Sequence, residues 1–168
     1  SSMWRAIYGR ELRTPFPRVT FHEAMHSYGT DAPDIRYDLK LHDVTDIVQG
    51  ANYEIFKKVL SKGGRVVCMN VTADLMRPTA GDEAAVGRNE VDRLIEWAKG
   101  QGMGGLTWMR MTSEGLQSNI VKYFPQEITR SLENEMGAQE GDLLLFLAGS
   151  EIAALKAGGE LRRKLAKD

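Results

Sequence analysis

A chain with a single cysteine, Cys68, can close no internal disulfide, and that thiol lies in an apolar run, which suits a reducing, cytoplasmic compartment. Long hydrophobic runs are also missing. None approaches the roughly twenty residues a membrane helix needs, and the N-terminal stretch lacks a signal peptide's apolar region, so no membrane partner is expected. Neither charge sign dominates. Lysine plus arginine number 22 against 23 acidic residues, a net charge of -1, which leaves no electrostatic footprint for strong nucleic-acid binding. What is present is ordinary globular material: 42% hydrophobic and 27% charged residues exclude long disorder. The 168 residues suit one core, or a domain of about 120 residues with an extension.

Along the chain the apolar pattern alternates between period two and period 3.6. Leu39, Leu41 and Val44 predict a first strand, and residues 51–60 a short helix closed by Gly63-Gly64. Residues 65–71 are apolar almost throughout and predict a buried strand. Residues 72–87 are polar with glycine and proline, a loop in which Asp82-Glu83 forms a solvated turn. Val91, Leu94, Ile95 and Ala98 share one face of a helix over 89–99, ended by Gly100, Gly102, Gly104 and Gly105. A strand follows over 106–111, then a short helix capped by Ser118 and a second over 126–136, stopped by Gly137. Residues 143–148 predict the most hydrophobic strand. Ser150 should cap a last helix whose face includes Ile152, Leu155, Leu161 and Leu165, weakened in its middle by Gly158-Gly159. Setting the short inserts aside leaves β-β-α-β-β-α, an α+β arrangement in which two helices of similar length cover one face of a four-stranded sheet.

One segment supports two incompatible chemistries. His22-Glu23-Ala24-Met25-His26 is H-E-x-x-H, the spacing that sets two imidazoles one helical turn apart for zinc, with a glutamate as general base. Local structure opposes a zinc hydrolase. Thr20 and Glu23 form a capping box and Gly29 is a natural stop, so the helix spans only about two turns. Its stripe should be Phe21, Ala24, Met25 and Tyr28, with both histidines beside it. Pro15 and Pro17 prevent the upstream stem that would fix the ligands, and Ala32 stands where a third ligand is needed. Glu90 or Asp92 could serve as a distant third ligand, but no spacing demands either. His42 falls in the first strand.

Other chemical signals are weak. Gly63-Gly64 and Gly102-Met103-Gly104-Gly105 follow helices rather than open them, so they read as terminators, not phosphate cradles. Ser113, Ser118 and Ser131 lack a nucleophile elbow and a histidine partner. Trp97 and Trp108 should be largely core, leaving no exposed aromatic row for stacking bases. On the last helix Lys156, Arg162, Arg163 and Lys164, with Lys167, make a basic run near the C-terminus, where cations complement the helix dipole. Lys156, Arg162, Arg163 and Lys164 are the candidates for contact with a nucleic-acid backbone.

Six motifs in order resemble one family. Tyr28-Gly29-Thr30-Asp31-Ala32-Pro33-Asp34-Ile35-Arg36, Leu41-His42-Asp43-Val44-Thr45-Asp46, Gly64-Arg65-Val66, Gly104-Gly105-Leu106-Thr107-Trp108, Gly115-Leu116-Gln117-Ser118 and Gly141-Asp142-Leu143-Leu144 resemble runs of bacterial-type aspartyl-tRNA synthetases, and Gly159-Glu160-Leu161-Arg162 closes the series. The region resembled is the GAD insertion domain, which interrupts the class II catalytic domain and is shared with tRNA-dependent amidotransferase subunits. The resemblance implies a two-layer β-β-α-β-β-α fold of the GAD or DCoH-like kind with inserted short helices. Residues 1–37 would be a catalytic-domain flank and 38–168 the insertion.

The full enzymes join aspartate to tRNA with ATP and magnesium, clamping phosphates with arginines that lysine cannot replace. Those catalytic motifs are absent from this sequence. The resemblance therefore implies a non-catalytic segment, architectural or close to the tRNA acceptor arm, within a homodimeric cytoplasmic parent. No catalytic, cofactor-binding or metal residue carries over to a position here. Departures from the family include His22, His26, Ala32 and the 72–87 loop. An amidotransferase GAD module and an H-E-x-x-H zinc hydrolase remain the alternatives.

Overall fold

A computed structural model describes residues 2–9, 15–75, 88–100 and 106–166. The expectations for Asp82-Glu83, for most of the 72–87 loop, for Gly102 to Gly105 and for Lys167 lie outside these residues.

The protein is α+β. Strands β1 (Leu41–Asp43), β2 (Arg65–Val71), β3 (Leu106–Thr112), β4 (Gly115–Gln117) and β5 (Leu143–Gly149) form one antiparallel sheet in the order β1-β2-β5-β3-β4. Helices are α1 (Ser2–Tyr8), α2 (Phe21–Tyr28), α3 (Thr45–Val48), α4 (Glu54–Leu60), α5 (Arg88–Gly100), α6 (Gln126–Met136) and α7 (Glu151–Leu165). A 3-10 turn spans Val121–Tyr123.

Both sheet faces are covered, which explains why the two central strands are apolar at consecutive positions. From β2 and β5, Val67, Met69, Leu145 and Leu147 meet Val91 and Leu94 of α5 and Leu155 and Leu161 of α7. Thus α5 and α7 share one face, as the β-β-α-β-β-α reading requires. The alternate residues Val66, Cys68, Leu144 and Phe146 point the other way, against Val48 of α3, Phe56 of α4, and Leu132 and Met136 of α6. The inserted short helices, with α6, thereby form a second covering layer, and β4 widens the expected four-stranded sheet to five strands. Trp97 and Trp108 are half-buried against the first cluster.

Local chemistry sets the element ends. Gly137, at φ 56°, ends α6 in a Schellman turn: its N–H donates to Asn134 O at 3.3 Å and that of Ala138 to Glu133 O at 3.1 Å. For α2, Thr20 Oγ1 accepts from the Glu23 N–H at 3.1 Å, and Gly29 closes the helix at φ 69°. Ser150 holds the N-cap position of α7 without a side-chain cap bond. Ser118 does not cap a helix directly; its Oγ accepts from Ile120 N at 3.2 Å, a turn leading into Val121–Tyr123.

Phe21 differs from its expected place in a buried stripe: it is 72% exposed, while Ala24 and Tyr28 are buried. α2 docks through Ala24 and Tyr28 and closes where Gly29 meets the α7 backbone, which leaves Phe21 facing solvent.

Candidate functional site

The H-E-x-x-H residues do not converge on a metal position. His22 and Glu23 are exposed, and the rings of His22 and His26 stack on each other at 4.1 Å. His26 Nε2 instead faces Glu151 Oε1 at 3.9 Å across a pocket of about 90 Å³, which Asp43 and Arg65 also line. Among the described residues no three His, Cys, Asp or Glu side chains are grouped to hold a metal ion. His42 lies on β1, its Nδ1 3.5 Å from Glu135.

Several resemblance motifs interlock. Asp43 Oδ1 accepts from Thr45 N at 3.0 Å and its Oδ2 from Arg65 Nη1 at 2.7 Å, while Thr45 Oγ1 accepts from Val66 N at 3.0 Å. Burial pushes the Asp43 carboxyl up, but the bonds from Thr45 and the nearby Arg65 outweigh it and hold the group below the ordinary aspartate value. At the other end of β2, Asp142 is buried and accepts from Asn70 Nδ2, Ala73 N and Gln139 N, each at 3.0 Å. These carboxylates fasten the sheet ends.

The four cations singled out on α7 separate. Arg162 is 1% exposed, so its assignment as a surface tRNA contact is corrected. Its guanidinium lies 4.7 Å from the ring centroids of both Tyr28 and Tyr37, donates from Nη2 to Asp34 O at 3.1 Å and from Nε to Leu39 O. Burial lowers its pKa, opposed by Tyr37, Tyr28, Asp34 and Asp38, and the starting value leaves it charged. Two aromatic faces and two carbonyls thus replace the water lost by a buried cation. Arg163 is bonded to Glu160. Lys156 is exposed and Lys164 half-buried. The signal for Arg162 was the motif-borne Tyr28 and the neighbouring Tyr37, whose meeting with a residue more than a hundred positions away is tertiary.

Other reactive side chains are engaged within the fold. Cys68 is buried and burial raises its thiol well above the ordinary value. Ser131 Oγ donates to Glu127 O within its own helix. Arg36 beside Asp34 bonds that carboxylate and holds it at about 2, and Arg65 is engaged by Asp43. These two arginines are thus already engaged by carboxylates.

No helix among the described residues is long and apolar enough to cross a membrane. The family model described as "GAD domain" matches residues 56–157. The chain is 39% identical over 166 residues to an aspartate-tRNA(Asp/Asn) ligase of Natranaerobius thermophilus, covering 99% of the chain and 27% of the relative. To an aspartate-tRNA ligase of Clostridium kluyveri it is 33% identical over 165 residues, 98% of the chain and 26% of the relative. Over 168 residues it is 33% identical to an aspartate-tRNA ligase of Halalkalibacterium halodurans, 100% of the chain and 27% of the relative. The chain thus spans about a quarter of the length of the curated relatives it matches.

Proposed function

Because the chain belongs to the GAD domain family, we propose that it is the insertion domain of a bacterial-type aspartate-tRNA ligase, carried with a short flank of the class II catalytic domain. The observation that carries this reading is the extent of the likeness. The family match covers 56–157, yet similarity to ligases runs through the flank as well, over 99% of the chain. That flank favours a ligase over an amidotransferase subunit.

Its role is architectural, beside the acceptor arm of aspartate tRNA, and not catalytic. On this reading ATP and magnesium belong to the parent's catalytic core. The flank also presents Phe16 at 64%, Phe21 at 72% and Ile35 at 46% exposure, apolar surface of the kind that the rest of a catalytic domain would cover. A homodimeric, cytoplasmic parent follows from the same reading.

The test is transplantation. Replacing the matching segment of the Natranaerobius ligase by this chain should give a hybrid that aspartylates tRNA, while the chain alone supports no aspartate-dependent exchange of pyrophosphate into ATP. A folded hybrid without aspartylation activity, or exchange by the chain alone, would overturn the reading.

A further inference from the structure

Surface cations of this protein fall into two groups. Arg36, Lys40, Arg65, Lys99 and Arg163 each pair with a carboxylate. Lys57, Lys58 and Lys122 are exposed and pair with no carboxylate among the described residues, as is true of Arg18, Lys62, Arg93, Arg130 and Lys156; the first three are set apart because the turn bearing Lys122 adjoins the segment leading into α4. Glu54, Lys57, Lys58 and Ser61 follow the i, i+3, i+4, i+7 spacing of one helix face and line, with Ile55, an open groove on α4. Lys57 Nζ donates to Asn52 Oδ1, and Asn52 N donates to Tyr123 O at 2.7 Å, which brings the Val121–Tyr123 turn alongside. The Tyr53 and Tyr123 rings stand 5.8 Å apart, and Lys122 Nζ lies 5.1 Å from the Tyr123 ring centre.

We propose that this face, Lys57 and Lys58 of α4 with Lys122 and Tyr123 of the adjoining turn, is the protein's docking surface for the phosphate backbone of a folded RNA. Three unpaired ammonium groups against the one carboxylate of Glu54 supply charge complementary to phosphates, and their counter-ions are released when phosphate takes their place. Tyr123 adds a partly exposed ring and a hydroxyl that can reach a ribose 2'-OH, the group by which a protein distinguishes RNA. Aromatic residues among lysines favour a nucleotide chain over an acidic protein surface. The face lies on the opposite side of the sheet from α7, because Phe56 of α4 packs in one core cluster and Leu155 and Leu161 of α7 in the other. The proposal rests on the ligase reading only for which RNA is met.

The test is a titration of the chain with aspartate tRNA at two low salt concentrations, comparing Lys58→Glu/Lys122→Glu with Lys156→Glu/Lys164→Glu. The first pair spares the Lys57–Asn52 bond, and a far-ultraviolet dichroism spectrum checks its fold. The α4-side pair should weaken binding at least about tenfold and reduce the slope of log affinity against log salt by about 1 to 2, while the α7 pair stays within about twofold. Unchanged affinity in the α4-side pair, no binding of tRNA by the wild-type chain, or binding of polyglutamate in place of tRNA would overturn the proposal. The hybrid ligase separates the two readings: aspartylation with an unaltered KM for tRNA in Lys58→Glu/Lys122→Glu sinks this surface and leaves the ligase assignment standing.

Discussion

Gly159 occupies a position where helix propensity and packing make opposite demands. In an open helix, glycine to alanine should stabilise by about 1 kcal/mol. Here a Cβ at 159 would lie 2.6 Å from the carbonyl oxygen of Gly29 and 3.1 Å from that of Tyr28, both backbone atoms with little room to move. The neighbouring position is softer, since a Cβ at 158 meets the Leu41 side chain at 2.6 Å. Gly159→Ala is therefore expected to destabilise by about 1–3 kcal/mol, as overpacking does, and Gly158→Ala by less. Urea midpoints decide it: a midpoint in Gly159→Ala at or above that of the wild type would show that α2 does not press on α7 here. The glycine pair looks like a weakness in the sequence because propensity is local, whereas the reason for it lies in a loop more than a hundred residues away.

At the scale of elements, one side chain ties the loop from α6 into β5 to the end of β2. Asp142 receives two backbone N–H groups, from Ala73 just past β2 and from Gln139, together with the Asn70 amide. Asp142→Ala should cost about 2–4 kcal/mol, because buried donors left without an acceptor lose their hydration with nothing in return. Hydrogen exchange at Ala73 and Gln139 should quicken ahead of the β2–β5 ladder; unchanged exchange at both amides would refute the tie. The same scale shows what the sequence makes legible. β2 and α6 stand at their expected bounds, because a two-sided apolar run and a 3.6-residue stripe ended by glycine are strong local signals. β4 escapes such reasoning, since three residues at an edge carry no periodicity and take their strand form from β3. The basic run on α7 is legible as charge but not as placement. Arg162 and Arg163 are adjacent in sequence, and only helical rotation puts the first inside and the second outside.

For the whole molecule, the consequence of Arg162 is that folding crosses the junction between the flank and the strands. Three of its four partners, Tyr28, Tyr37 and the carbonyl of Asp34, precede residue 38, and Leu39 O supplies the fourth. A chain beginning at residue 38 keeps the whole sheet, yet it strips that guanidinium of three partners, opens it to water and uncovers the α7 backbone at Gly159. The exposed guanidinium regains water, so what is lost is one charged hydrogen bond, two cation-π contacts and the burial around them, about 2–4 kcal/mol, a large share of the 5–15 kcal/mol typical of a domain. The shortened chain should therefore melt well below the full one. Lower stability alone could reflect lost apolar contacts, so a double-mutant comparison isolates the cation. Arg162→Met should destabilise the full chain, where it removes the hydrogen bonds and cation-π contacts, and should have a much smaller effect in the shortened chain, where the guanidinium is already open to water. Equal effects in both chains would mean that the flank does not hold Arg162. A clearly smaller effect in the shortened chain would make the residues before 38 and α7 one cooperative unit, joined through this arginine.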